Sequence, residues 1–268
     1  DPGTASHFLL RPADLGVYLL YDENRQYLTS NGSTLTRQAS LTPDTRLVNG
    51  EIVIQDRLQS EGEWQLSAAA NGRFTLQHLL TGAYIASDGL AADAAGAADL
   101  QLLAQSNCAR FPELALNAAG AIAKTEFDDG DVFGFVETHS HLFTNFAFGG
   151  GGVFHGAPFH RLGVQHALHD CKLSHGEEGR KDFMGSAFGD TDGAGITGLV
   201  PALIAGELSD KNHNTDGYPT FSDWPDAHRS ATHQVQYYKW LERAYLGGLR
   251  PLVQHSTTNQ ELCPLTVG

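Results

Sequence analysis

From about residue 8 to residue 125, apolar and polar positions alternate over short stretches, the period of half-buried strands, with turn residues between them. Val17-Tyr18-Leu19-Leu20-Tyr21, Tyr27-Leu28, Ile52-Val53-Ile54, Trp64-Gln65-Leu66 and Phe74-Thr75-Leu76 are the clearest strands. This half shows no convincing amphipathic helix. Gly16-Val17-Tyr18-Leu19-Leu20, followed by Tyr27-Leu28 and Gly32, is echoed by Gly72-Arg73-Phe74-Thr75-Leu76, followed by Tyr84-Ile85 and Gly89. A third unit, near Leu114-Ala115-Leu116 and Gly120, is weak. Hairpins of this size are not stable alone. Packed around a shared core they predict an all-β module over residues 1–125, β-trefoil-like or a related small barrel or sandwich. The run Leu90 to Asp99, dominated by Ala, Gly and Asp, predicts a mobile surface loop within it.

After Asp128-Asp129-Gly130 the pattern changes to glycine-rich loops, histidines and one good helix, which places a second domain at 126–268. The apolar run Val132-Phe133-Gly134-Phe135-Val136 predicts a strand that runs into His139-Ser140-His141. Thr232 to Leu246 predicts a helix, with Val235, Tyr238, Leu241 and Tyr245 on one stripe, Ser230 or Thr232 as its cap and Gly247-Gly248 as its stop. It leads into a second strand, Leu249 to His255, in which Pro251 removes a ladder hydrogen bond. Strand, long excursion, helix and strand form a βα unit feeding a parallel sheet. The predicted fold class is therefore multidomain α+β.

Residues i and i+2 of an extended strand face the same side, so His139 and His141 can converge on one cation, and neutral imidazole is the commonest zinc ligand. Two solvated loop histidines would give the same spacing. Alternation puts Glu137 on the side of His139, as a ligand or as an acceptor behind the ligands. His255, with Asn259 just beyond, ends the second strand on the same rim if the strands are parallel neighbours. Seven of the 13 histidines fall between His139 and His175 (His139, His141, His155, His160, His166, His169 and His175). The segment also holds Phe143, Phe146, Phe148, Phe154 and Phe159 around Gly149-Gly150-Gly151-Gly152, a combination able to line a pocket. Taken one at a time, His155, His160, His166 and His169 read as solvated loop residues. No Gly-x-Ser-x-Gly is present, Gly185-Ser186 included, and no phosphate-loop lysine follows the glycines.

With 17 Lys and Arg against 31 Asp and Glu, the net charge of −14 excludes a basic face for nucleic acid. No apolar run approaches the roughly 20 residues that cross a bilayer. The start, Asp1-Pro2-Gly3-Thr4, lacks the features of a signal peptide, and a precursor segment already removed would fit a secreted or periplasmic protein. Cys108, Cys171 and Cys263 form no Cys-x-x-Cys, which argues against a cysteine-based structural zinc site. If exported, Cys171 and Cys263 would pair before Cys108; buried free thiols are the alternative.

The run Phe135 to Phe143 resembles the first strand of the amidohydrolase superfamily, in which His-x-His opens a (β/α)8 metal-hydrolase barrel. Asn145 to Gly150, Asp170-Cys171, His175-Gly176, Phe221 to Pro225, His233-Gln234 and Arg243 to Leu249 resemble large bacterial relatives of the membrane (renal) dipeptidases. The resemblance covers about residues 130–263. It implies His139 and His141 as ligands of zinc or another divalent transition metal, with His255 and Glu137 as catalytic candidates. The substrate class would be small-molecule or peptide-like, cleaved at an amide, ester or phosphoester bond by a metal-activated water. The classical dipeptidases carry His-x-Asp where this chain has His-x-His. A barrel needs about 250 residues, so only its first strands fit here, and a second polypeptide completing it is expected. The competing expectation is a carbohydrate- or protein-binding or structural component with a non-catalytic barrel fragment, in which Tyr18, Tyr27, Trp64 and Tyr84 are either sugar platforms or core.

Overall fold

A computed structural model describes residues 6–43, 45–48, 51–54, 60–122, 124–149, 154–188, 195–221 and 232–257. Gly150, Gly151, Gly152, Ser222 to Pro225, Ser230, Asn259 and Cys263 lie outside them. The chain is a mixed α+β protein with one large antiparallel sheet and few helices, and it divides into two compact units. The first comprises Asp1–Thr45 with Val53–Pro112, the second Arg46–Ile52 with Glu113–Gly268.

The first unit is built from β1 (Phe8–Asp14), β2 (Val17–Asp22), β3 (Tyr27–Ser30), β4 (Leu35–Gln38), β7 (Glu63–Ala68), β8 (Phe74–His78), β9 (Tyr84–Ala86) and β10 (Gly89–Ala91). Two further strands, β5 (Thr45–Val48) and β6 (Glu51–Ile54), pair with each other. The eight strands form one sheet in the order β10-β9-β8-β7-β2-β3-β4, with β1 also on β2, and every pairing is antiparallel. Strand β2 is buried almost throughout because both of its faces are used. Leu20 joins Leu28, Trp64 and Leu76 in an aliphatic core, with Tyr18 packed against it. On the opposite face Tyr21 meets Tyr27 and Phe111 edge to face, at centroid distances of 5.0 and 5.5 Å. The β2–β3 turn is set by Asp22, whose Oδ1 accepts the N–H groups of Asn24 and Gln26 while Oδ2 accepts Arg37 Nε–H at 3.0 Å.

Two expectations change. The Leu90–Asp99 run is not a bare loop, because Leu90 pairs with Ile85 in the β9–β10 hairpin and packs on the Trp64 core. The weak repeat near Leu114 forms no strand, and its side chains serve the second unit instead. There Leu114 packs against the core and the Glu113 carboxylate accepts the Tyr237 and Tyr238 hydroxyls at 2.7 and 2.8 Å.

In the second unit the helices are short: α1 (Val164–Ala167), α2 (Lys172–His175), α3 (Phe183–Phe188), α4 (Gly195–Ala205) and α5 (Tyr238–Leu246). Val164, Ala167, Leu168, Cys171 and Tyr237 make up its buried core. The helix predicted from Thr232 starts six residues later. Thr232 and Gln234 instead exchange backbone hydrogen bonds with His155, the Thr232 carbonyl accepting His155 N–H at 2.6 Å and Gln234 N–H reaching the His155 carbonyl at 2.7 Å. Those bonds hold residues 232–236 extended, and Tyr237 becomes the cap residue. At the other end Gly247 and Gly248 close the helix, Gly248 at φ 113°.

Strand β11 (Phe135–Ser140) pairs in parallel with β12 (Leu249–Gln254). It begins at Phe135, later than the apolar run from Val132, and contains His139. Phe135 faces Leu249, and Glu137 faces Leu252, so β12 carries one extra residue around Pro251. That bulge is how a proline without an N–H is accommodated in the ladder.

Trp64 is fully buried, and its Nε1–H donates to the Leu28 carbonyl at 2.9 Å. Trp64→Phe should lower the stability of the first unit by about 1–3 kcal/mol, from lost volume and a lost donor, read as a shifted denaturant midpoint.

Candidate metal centres

His139 and His141 sit at the tip of β11 with their Nε2 atoms 2.9 Å apart and both rings exposed. His255, just past β12, stacks on His139 at a centroid distance of 4.4 Å, with the planes 18° apart. The pairing of the strands delivers it there, since His255 N–H donates to the Ser140 carbonyl at 2.8 Å. His141 Nδ1 lies 3.2 Å from the His255 carbonyl and 2.5 Å from Thr257 Oγ1. A proton on Nδ1, donated to the His255 carbonyl, would leave the Nε2 lone pair facing His139, the tautomer a metal ligand needs. Glu137 turns Oε1 to the His139 backbone N–H at 3.0 Å, and His255 turns Nε2 to the Thr138 carbonyl at 3.2 Å. The structure thus brings all four predicted residues to one rim, with His139 and His141 as the pair aimed at each other. A cleft of about 340 Å³ opens beside them, lined by Glu137, His139, His141, Val235, Leu241 and Leu252.

A second cluster was not foreseen. Cys171, His175, His213 and His233 place one ligand atom each within 4.8 Å of one another, a group that can hold a metal ion. Cys171 precedes α2 and His175 ends it, so their i, i+4 spacing puts thiol and imidazole on one side of a single turn. His213 comes from the segment after α4, and Gly179, at φ 71°, leaves room for its ring. His233 is carried by the extended segment that bridges in parallel to His155. Cys171 is a free thiol at 0% exposure, so one cysteine without a Cys-x-x-Cys partner joins three histidines in this group, an arrangement that the absence of that motif argued against. Burial, then the Asp170 and Asp182 carboxylates, pushes that thiol far up, so without a cation it stays protonated. His155, His160, His166 and His169 are not solvated either: His155 and His166 are buried, the other two half-buried.

Asp182 lies beside the cluster, with Oδ2 at 3.5 Å from His175 Nδ1 and 3.8 Å from His213 Nδ1. Both its oxygens are engaged elsewhere. Oδ1 accepts Gly185 N–H at 2.7 Å, capping α3, and Oδ2 accepts the Thr232 hydroxyl at 2.7 Å.

Sequence reading located the rim but not this cluster. Cys171-x-x-x-His175 carried a local signal, whereas His213 and His233 stand 20 or more residues from it and from each other, with no pattern linking them.

Gly179→Ala would drive a Cβ into the His213 ring in a left-handed backbone conformation. A loss of about 1–3 kcal/mol is expected, checked by thermal unfolding. Burial, then the neighbouring imidazoles, holds His155 well below its usual range and His233 down to about 2. The unfolded chain binds protons there from pH 6.5 downward while the folded chain does not. Stability is therefore full above that pH and falls as the solution is acidified. Melting followed from neutral to mildly acidic pH should show a declining midpoint with net proton uptake on unfolding.

Compared with protein families and with curated proteins, the sequence matches none.

Proposed function

We propose that this chain is part of a metal-dependent hydrolase of amidohydrolase type. It would hold zinc or another divalent transition metal at His139 and His141 and act on an amide, ester or phosphoester bond of a small-molecule or peptide-like substrate. The observation that carries this reading is the meeting of the two Nε2 atoms at the open tip of a parallel strand pair, beside a cleft. A divalent ion bound there supplies a water of lowered pKa and polarises the scissile carbonyl or phosphoryl oxygen. The chain's own residues orient the site. The His255 carbonyl would favour the His141 tautomer with the proton on Nδ1, and the His139 ring is backed by the His255 ring. Glu137 steadies the strand end through the His139 N–H, and Val235, Leu241 and Leu252 give the cleft an apolar wall.

Two imidazoles are fewer ligands than a catalytic metal of this kind takes. Five of the six β11 residues are exposed, Phe135 and Val136 at 52% and 53%, although parallel sheets are normally covered on both faces. Both facts support a second polypeptide whose strands extend the β11–β12 pair into a barrel and add the remaining ligands. The helix α5 feeding β12 fits the start of a (β/α)8 barrel. The echo of β2–β3 in β8–β9 supports the trefoil-like reading of the first unit. Trp64 and Tyr27 are core residues, which weakens sugar binding as the alternative.

The test uses the native protein with any polypeptide that copurifies, assayed on dipeptides, N-acyl amino acids, esters and phosphoesters. His139→Ala with His141→Ala should remove one metal equivalent and lower turnover at least about 100-fold. Undiminished turnover in that double variant would refute the assignment.

A further inference from the structure

The buried cluster of Cys171, His175, His213 and His233 differs in kind from the exposed rim. We propose that these four residues form a closed tetrahedral site for zinc, or a divalent transition metal of the same preference, and that the bound ion is a structural fastener of the second unit.

Distance is the first argument. Zinc bonds of about 2.0–2.1 Å to nitrogen and 2.3 Å to sulfur, arranged as a tetrahedron, put neighbouring nitrogens about 3.3 Å apart and sulfur about 3.6 Å from nitrogen. His175 Nδ1 and His213 Nε2 are 3.3 Å apart, Cys171 Sγ and His213 Nε2 3.5 Å, and His233 Nε2 and Cys171 Sγ 3.4 Å. Three of the six donor separations thus match tetrahedral edges, and all six lie within 4.8 Å.

Ring orientation is the second. The planes of His175, His213 and His233 are mutually perpendicular, at 88°, 86° and 86°, with centroids 4.6 to 5.3 Å apart. Edge-to-face packing alone accounts for such angles; what it does not require is that one nitrogen of each ring and the buried Cys171 thiol lie within 4.8 Å of one another.

Charge is the third. A divalent ion with a Cys171 thiolate leaves one positive charge, which the adjacent Asp182 carboxylate offsets in a region otherwise hostile to charge. Asp182 Oδ2 stands 3.8 Å from His213 Nδ1, the nitrogen opposite the ligating Nε2, too far for a hydrogen bond but close enough to offset charge.

The role follows from closure and from what the ligands join. All four positions are protein side chains and three of the four residues are fully or almost fully buried, which leaves no place for substrate. The ligands span residues 171 to 233 in a unit whose described helices run from 4 to 11 residues, and Cys171 itself belongs to the buried cluster with Val164, Ala167, Leu168 and Tyr237. Helices this short leave loops for side chains to hold, and a bound metal is one of the few staples that a chain can supply.

The test is independent of chemistry at the rim. The native protein is stripped with a chelator and titrated with cobalt(II). One equivalent should bind with the intense visible bands of tetrahedral cobalt and a near-ultraviolet thiolate-to-cobalt charge-transfer band. Zinc should displace it and raise the melting midpoint by about 10 °C over the stripped protein. The His139→Ala, His141→Ala double variant should keep this equivalent, and Cys171→Ser should lose the charge-transfer band. Three results would overturn the proposal: no binding, an octahedral cobalt spectrum without charge transfer, or a melting midpoint unmoved by zinc. All three are read on the unsubstituted chain, so a Cys171→Ser variant that failed to fold would not shelter it.

Discussion

The second unit depends on keeping three imidazoles, a thiol and a carboxylate out of water in one place. Each is costly to bury alone, and the surrounding structure is organised to satisfy them together. Asp182 caps α3 with one oxygen and holds Thr232 with the other. Thr232 fixes the extended segment that presents His233, and that segment pairs with His155. The residues around the cluster therefore serve as backbone scaffolding and as its outer contacts at once. Their local structure is set by the cluster more than by helix propensity.

The two histidine sites illustrate opposite solutions. At the rim, His139, His141 and His255 are exposed, joined only by strand pairing and ring stacking, and open toward a cleft. In the interior, the thiol and the three imidazoles place one ligand atom each within 4.8 Å of one another, and three of the four residues are buried.

Exposure of β11 is the other constraint. Among the described residues β11 and β12 pair only with each other, and five of the six β11 residues are exposed while Leu249 of β12 is buried. Edges of this kind are where a further strand can add.

Much of this was written in local pattern. Alternating apolar residues marked β2, β3, β7 and β8, glycine pairs marked the end of α5, and the i, i+2 spacing marked His139 and His141, because strand period, caps and same-side geometry act over a few residues. The start of α5 was not legible, since Thr232 and Gln234 spend their hydrogen bonds on His155, 77 or more residues away in sequence. Nor was the burial of His155 or the role of Cys171. His213 and His233 meet Cys171 and His175 only through loops that carry no periodic signal. Sequence alone determined β2, β3, β6, β7, β8, β11 and β12 and where a pair of imidazoles would be offered to solvent. Only tertiary structure decided which histidines would leave water together, because that choice rests on contacts between residues far apart along the chain.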